Sequence, residues 1–156
     1  MRRSILIFFF GLLAAQGLAQ LDSCRELFFS EQSEESCEFI IAKAKTKATE
    51  SPILKAYTGA STASLAEFAF NPAKKLTLFN SGKNMIEEAV SLDPKNAEIR
   101  LLRMVIQLES PSFLNYNNKI EEDKNIVLEW ISGNEAPEGI FLSQIKNYLT
   151  SKKISN

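Results

Sequence analysis

The chain has 156 residues, of which 45% are apolar, with 18 basic and 19 acidic side chains and a net charge of −1. This near-neutral balance gives nucleic acid no bulk attraction. There is no histidine, which excludes Ser–His–Asp and Cys–His nucleophilic catalysis as well as histidine-ligated zinc and haem sites.

The N-terminus predicts a secretory signal peptide over residues 1–19. Arg2 and Arg3 supply the positive start, Ile5 to Leu13 the apolar run, and Gly17 and Ala19 the small residues before a cut at Gln20. The run is shorter than the ~20 residues of a spanning helix, so no transmembrane anchor is expected after cleavage. Leu21-Asp22-Ser23-Cys24 departs from a lipoprotein cleavage site at Asp22, which argues against lipidation of Cys24. The remaining residues, 20–156, form one predicted domain, large enough to bury roughly two-thirds of its unfolded surface. Without Arg2 and Arg3 the formal charge of −1 becomes −3.

An exported chain with two cysteines, Cys24 and Cys37, is expected to pair them. The bridge would close a loop of about 14 residues and contribute about 3 kcal/mol in the chain-entropy model. The alternative is two small buried thiols. Charge is blocked along the chain, with six acids against Arg25 over 22–38 and seven lysines against Glu50 and Glu67 over 43–83. Such blocks read as solvated helix faces.

Prolines at 52, 72, 94, 111 and 137 punctuate the rest. Four follow Ser51, Asn71, Asp93 or Ser110, residues that cap helices, and proline itself suits a helix's first turn. Between them apolar residues recur at helical spacing. Cys37, Ile40, Ile41 and Ala44 mark a helix over 37–47. Leu54, Tyr57, Leu65 and Phe68 mark one over 52–69, whose small residues around Gly59 and Ala63 invite a close neighbour. Over 72–92 the stripe is Leu76, Phe79, Ile86 and Val90, with Gly82 at a position that costs about 1 kcal/mol relative to Ala unless packing requires it. Residues 95–109 are apolar on most sides and predict the central buried helix. An irregular stretch over 110–118 precedes helices over 119–132, stopped by Gly133, and about 138–150. No stretch alternates with a period of two, so the fold class is all-α: about six helices in antiparallel pairs, in a single domain.

Ala89-Val90-Ser91-Leu92-Asp93-Pro94-Lys95-Asn96-Ala97-Glu98 resembles the end of one tetratricopeptide repeat running into the next, with the small Ala89 five residues before the signature Pro94. The likeness is good over about 20 residues and loose over 63–110. Arg100, Arg103 and Met104 stand where that family has an aromatic, Leu and Gly, and Asn71-Pro72 interrupts the preceding repeat. The run from Asn71-Pro72 to Tyr116 also resembles small exported bacterial proteins of unassigned function. These resemblances imply a tetratricopeptide-like fold and a periplasmic or extracellular location. They bring no mechanism.

No motif implies a cofactor or a metal. Ser143-Gln144-Ile145-Lys146 matches S-x-x-K without the rest of that signature, and Glu121-Glu122-Asp123 lacks the spacing of a calcium loop. The distinctive polar set is Arg100, Arg103 and Gln107, which share one face of the most apolar helix. A buried guanidinium needs a partner. One reading pairs these residues with internal acids such as Glu98 or those of 121–123. The other lines a partner groove with them, completed by Tyr116 and Asn117, that meets a carboxylate bidentately. The expected function is therefore a non-enzymatic binding or scaffold module for a protein or peptide partner in the bacterial envelope. The alternative is a small secreted hydrolase or ligand-binding protein using carboxylates and Arg.

Overall fold

The punctuated helices are present in a computed structural model that describes residues 19–30 and 32–154. All of the predicted signal peptide except Ala19 lies outside those residues. The fold is all-α and forms a single domain, with no strand among the described residues. In chain order the helices are α1 (19–28), α2 (Glu34–Lys45), α3 (Pro52–Ser64), α4 (Pro72–Leu92), α5 (Ala97–Glu109), α6 (Ile120–Ser132) and α7 (Gly139–Ser151), with a 3₁₀ turn at Ser112–Leu114 between α5 and α6.

Side-chain caps account for the starts of α2, α4 and α5. Ser33 and Ser36 form a reciprocal capping box at α2, and Asn71 accepts from the Ala73 and Lys74 amides ahead of Pro72. Ser51 occupies the cap position of α3 but makes no side-chain cap bond. Asp93-Pro94 does not start α5. The chain turns first, Asp93 accepts from Asn96 Nδ2, and Asn96 caps the helix through the Ile99 amide. Ser110-Pro111 opens only the 3₁₀ turn, which ends at Asn115 in the left-handed region (φ 50°). Helix α3 is shorter than its apolar stripe predicts, because the chain tightens into i→i−3 turns from Ala66 to Phe68.

Helices α3 and α4 run antiparallel and cross at glycine. A Cβ on Gly82 would stand 2.3 Å from the Gly59 carbonyl oxygen and 2.4 Å from the Ala63 amide nitrogen, so the two backbones touch there. Such an approach is possible only without side chains. Helix α5 is the central element, buried at every residue from Glu98 to Gln107. It packs on α3, α4 and α6.

Helix α1 has no counterpart among the predicted helices, although Leu21, Cys24 and Phe28 have helical spacing. Its buried side packs Cys24 and Phe28 into the core, where Phe28 meets Tyr57 edge to face with ring centroids 5.8 Å apart. Phe29, just beyond it, touches Phe141 and Tyr148 of α7.

The predicted Cys24–Cys37 bridge is not formed: both are free, buried thiols and they do not lie near each other. Hairpin register is the reason. Gln20 bonds to Lys43 and Thr46 at the far end of α2, so Cys24, one turn later, falls opposite the middle of α2 while Cys37 sits in its first turns. The charges around them differ accordingly, Lys43 and Glu98 acting on Cys24 and Glu67 on Cys37. Burial pushes each thiol up to about 11.

Candidate functional site

The polar face of α5 is sealed. Arg103 donates from Nε and Nη2 to the two oxygens of Asp123 on α6, at 2.7 Å each, and from Nη1 to Glu87 of α4 at 3.1 Å. Arg100 donates from Nη1 to Glu122 (2.8 Å) and Asp123 (3.1 Å) and from Nε to the Pro94 carbonyl. Gln107 accepts from the Lys119 amide at 3.0 Å, which holds the start of α6. Asp123 is completely buried, so its charge is compensated only because the fork-shaped donors of both arginines reach it. Burial works against the Arg103 charge, but the hydrogen bond and charge of Asp123 more than offset it and hold the guanidinium protonated.

Tyr116 closes the edge of this seam. Its hydroxyl donates to Glu87 at 2.6 Å, and its ring packs edge to face on Phe79. Burial, then the bond to Glu87, push the phenol well above its ordinary range. Asn117 is exposed and takes no part. The structure therefore brings together Arg100, Arg103, Gln107 and Tyr116 as an internal joint between α4, α5 and α6. The five expected groove residues line neither of the clefts described next.

A second buried carboxylate, Glu98, is engaged in the same way. Arg25 of α1 grips it through Nε (2.8 Å) and Nη2 (2.6 Å), and Tyr57 of α3 donates to it at 2.8 Å. The bond to Glu98 raises the Arg25 guanidinium further, and burial followed by the Glu98 charge lifts Tyr57 well above its usual range.

An open site arises from unequal helix lengths. Helix α4 has 21 residues, but its partners α3 and α5 have 13 each. Ala63, near the end of α3, lies against Gly82, and α5 runs back from the 93–96 joint for only those 13 residues. The first two turns of α4 thus project about 12 Å beyond both neighbours. Beneath this overhang lies a groove of about 770 Å³. Phe79, Val105 and Ile106 form its apolar floor, and Phe28 and Phe29 one wall. Leu76 (49% exposed) and Phe113 (78% exposed) stand at its lips. The volume falls within the ordinary range for ligand sites, roughly 300–1,000 Å³. Sequence reading missed the groove, although the surplus length of α4 was visible between Pro72 and Leu92.

A second cleft of about 680 Å³ lies between α1, the start of α5 and α7. Trp130 and Phe141 wall it, and Glu26, Glu135 and Glu138 stand around it, all three exposed. Among the described residues no group of His, Cys, Asp and Glu is placed to hold a metal ion, and no helix is long and apolar enough to cross a membrane. No protein-family model, curated protein or solved structure matches the chain.

Proposed function

We propose that the chain is an exported, non-enzymatic binding module that takes an apolar segment of a protein or peptide partner into the groove under the α4 overhang. The observation that carries this reading is the groove itself: a floor of core residues continuous with two large apolar side chains left in water at its lips. Leaving Leu76 and Phe113 exposed forgoes on the order of 1–2 kcal/mol of burial apiece, and a docked segment recovers it. The mode fits helix-in-groove recognition, in which apolar side chains at i, i+3, i+4 and i+7 act as anchors. The tetratricopeptide likeness, a fold analogy, points the same way, since such helical pairs hold peptides on a concave face.

The alternative of a hydrolase built on carboxylates and arginines has less support. Asp123 and Glu98 are committed to Arg100, Arg103 and Arg25, and apart from Glu98 the acids that line the second cleft are exposed. Solvated carboxylates lack the burial that raises a general acid into a useful range. The test is selection of a displayed random-peptide library on the protein. Recovered peptides should carry apolar residues at helical spacing and bind the Phe113→Asp variant at least about tenfold more weakly, about 1.4 kcal/mol. Undiminished binding to that variant would overturn the reading.

A further inference from the structure

We infer that the second cleft, between α1, the start of α5 and α7, is a binding site for a small organic cation, an alkyl amine or diamine. It shares no lining residue with the groove under α4. Its charge is one-sided: Asp22, Glu26, Glu98, Glu135 and Glu138 line it against two cations, Arg25 and Lys95. Arg25 is already spent, on Glu98 at 2.6 Å and on Asp22 at 3.1 Å. Glu26, Glu135 and Glu138 are exposed and form no ion pair among the described residues, which sets three carboxylates against Lys95 alone. Glu138 suits the start of α7, but Glu26 lies in the last turn of α1, where the helix dipole disfavours an acid. A cation beside it relieves that conflict.

The uncharged side chains of the cleft give their N–H groups to the protein. Trp130 Nε1 donates to the Glu135 carbonyl at 3.0 Å, Asn96 Nδ2 to Asp93 at 3.0 Å and Gln144 Nε2 to the Glu26 carbonyl at 3.2 Å. The other end of Gln144, Oε1, is buried and accepts from no group among the described residues. An unpaired buried oxygen is costly, and an N–H donor is what it lacks. Aromatic rings complete the site. Trp130 and Phe141 stand 6.3 Å apart between centroids, and the Arg25 guanidinium lies 4.9 Å from the Phe141 ring centre, so this wall already holds one cation. Tryptophan gives the strongest attraction of this kind, and the same wall can cover the methylene chain of an amine. The volume of about 680 Å³ suits a small molecule. A bare metal ion does not fit, since among the described residues no acids converge closely enough to hold one.

Trp130 is the only tryptophan in the chain, so its fluorescence reads the cleft directly. The probe is 1,4-diaminobutane, titrated at an ionic strength of about 0.02 M, with 1,4-butanediol as the uncharged control. The diamine should change the Trp130 emission saturably and the diol should not. Its affinity should fall at least about tenfold in about 0.5 M salt, where the screening length is a few Å. The Glu26→Gln/Glu135→Gln variant should also bind at least about tenfold more weakly. Both side chains are exposed and only their carbonyls are used internally, so the variant keeps its fold, which circular dichroism checks. An equal response to the diol, no saturable response to the diamine, or undiminished binding to the variant would each overturn the proposal. So would a response that magnesium ions reproduce, which would assign the acids to a metal, or one given only by a lysine-rich peptide, which would assign the cleft to a protein partner.

Discussion

Helix α5 presents two faces with opposite fates. On one, Arg100, Arg103 and Gln107 meet Asp123, Glu122 and Glu87, and every guanidinium finds a carboxylate inside the molecule. On the other, Val105 and Ile106 form the floor of a groove whose lips, Leu76 and Phe113, remain in water. The face with the more suggestive chemistry is structural, and the open apolar surface lies beside the plain face, at Leu76 and Phe113. Charged groups buried at a helix joint must be satisfied internally or the fold fails, so they carry stability. Surplus apolar surface is tolerated by the fold, and that is the surface a partner can cover.

The sharpest way to break this contrast is at Asp123. The Asp123→Ala variant leaves two buried guanidinium groups short of the carboxylate that neutralises them, although Arg100 keeps Glu122 and Arg103 keeps Glu87. Breaking a buried pair in this way costs about 3–5 kcal/mol. Urea unfolding should show the midpoint falling accordingly. A loss below about 1 kcal/mol, within the range of an ordinary surface ion pair, would show that the joint does not hold α5 to α6.

The next effect concerns the crossing that sets the overhang. In Gly82→Ala the new methyl would press on backbone atoms of Gly59 and Ala63 at 2.3 and 2.4 Å, which cannot rotate away. The gain in helix propensity is about 1 kcal/mol, and overpacking commonly costs about 1–3 kcal/mol. Because backbone rather than a flexible side chain is struck, the cost should dominate, with a net loss of up to about 2 kcal/mol in the same urea measurement. Groove binding should weaken too, because separating α3 from α4 shifts the overhang. A stabilised Gly82→Ala protein would contradict this account of the crossing.

How much of this was legible before the fold follows from the same residues. Asn71-Pro72, the small residues of α3 and the apolar sweep of α5 are local signals, and the helices they mark are present, α4 and α5 with nearly the expected bounds and α3 ending early at Ser64. Register between helices is not local. The cysteine spacing permits a bridge, yet the α1–α2 hairpin aligns Gln20 with Lys43 and Thr46 and sets the thiols apart. The need of a buried guanidinium for a partner pointed Arg100 and Arg103 to internal acids, those of 121–123 among them, but helical spacing alone places them on one face without saying which group faces them. The length of α4 was readable, but an overhang exists only once α3 and α5 are known to flank it.

A smaller effect lies at the exposed edge of the polar joint. Glu122 is held below its ordinary value of 4.5 by hydrogen bonds from Lys119 and then Arg100. A carboxyl lowered on folding contributes stability above its unfolded pKa and loses it as pH falls through the lower, folded value. Its side chain is 45% exposed, so screening limits the contribution to a few tenths of a kcal/mol. Stability measured against pH should decline below about 4.5, and Glu122→Gln should flatten that part of the decline. If the profiles of variant and parent coincide, the pairing with Lys119 and Arg100 adds nothing measurable.

The smallest effect on stability is expected at Phe113, and there the contrast between the two faces of α5 becomes decisive. Phe113 lies in the 3₁₀ turn with 78% of its surface in water, so Phe113→Asp removes little burial and adds a charge that is already solvated. Surface substitutions of this kind fall within about 0.5 kcal/mol, and the urea midpoint should hardly move. Peptide binding should nevertheless drop at least about tenfold, since one lip of the groove is now charged. Asp123→Ala should behave in the opposite way: a large loss of stability, with groove affinity preserved in whatever fraction remains folded. If the two variants fail to separate in this manner, the polar and apolar faces of α5 are not independent, and the division of labour between them is wrong.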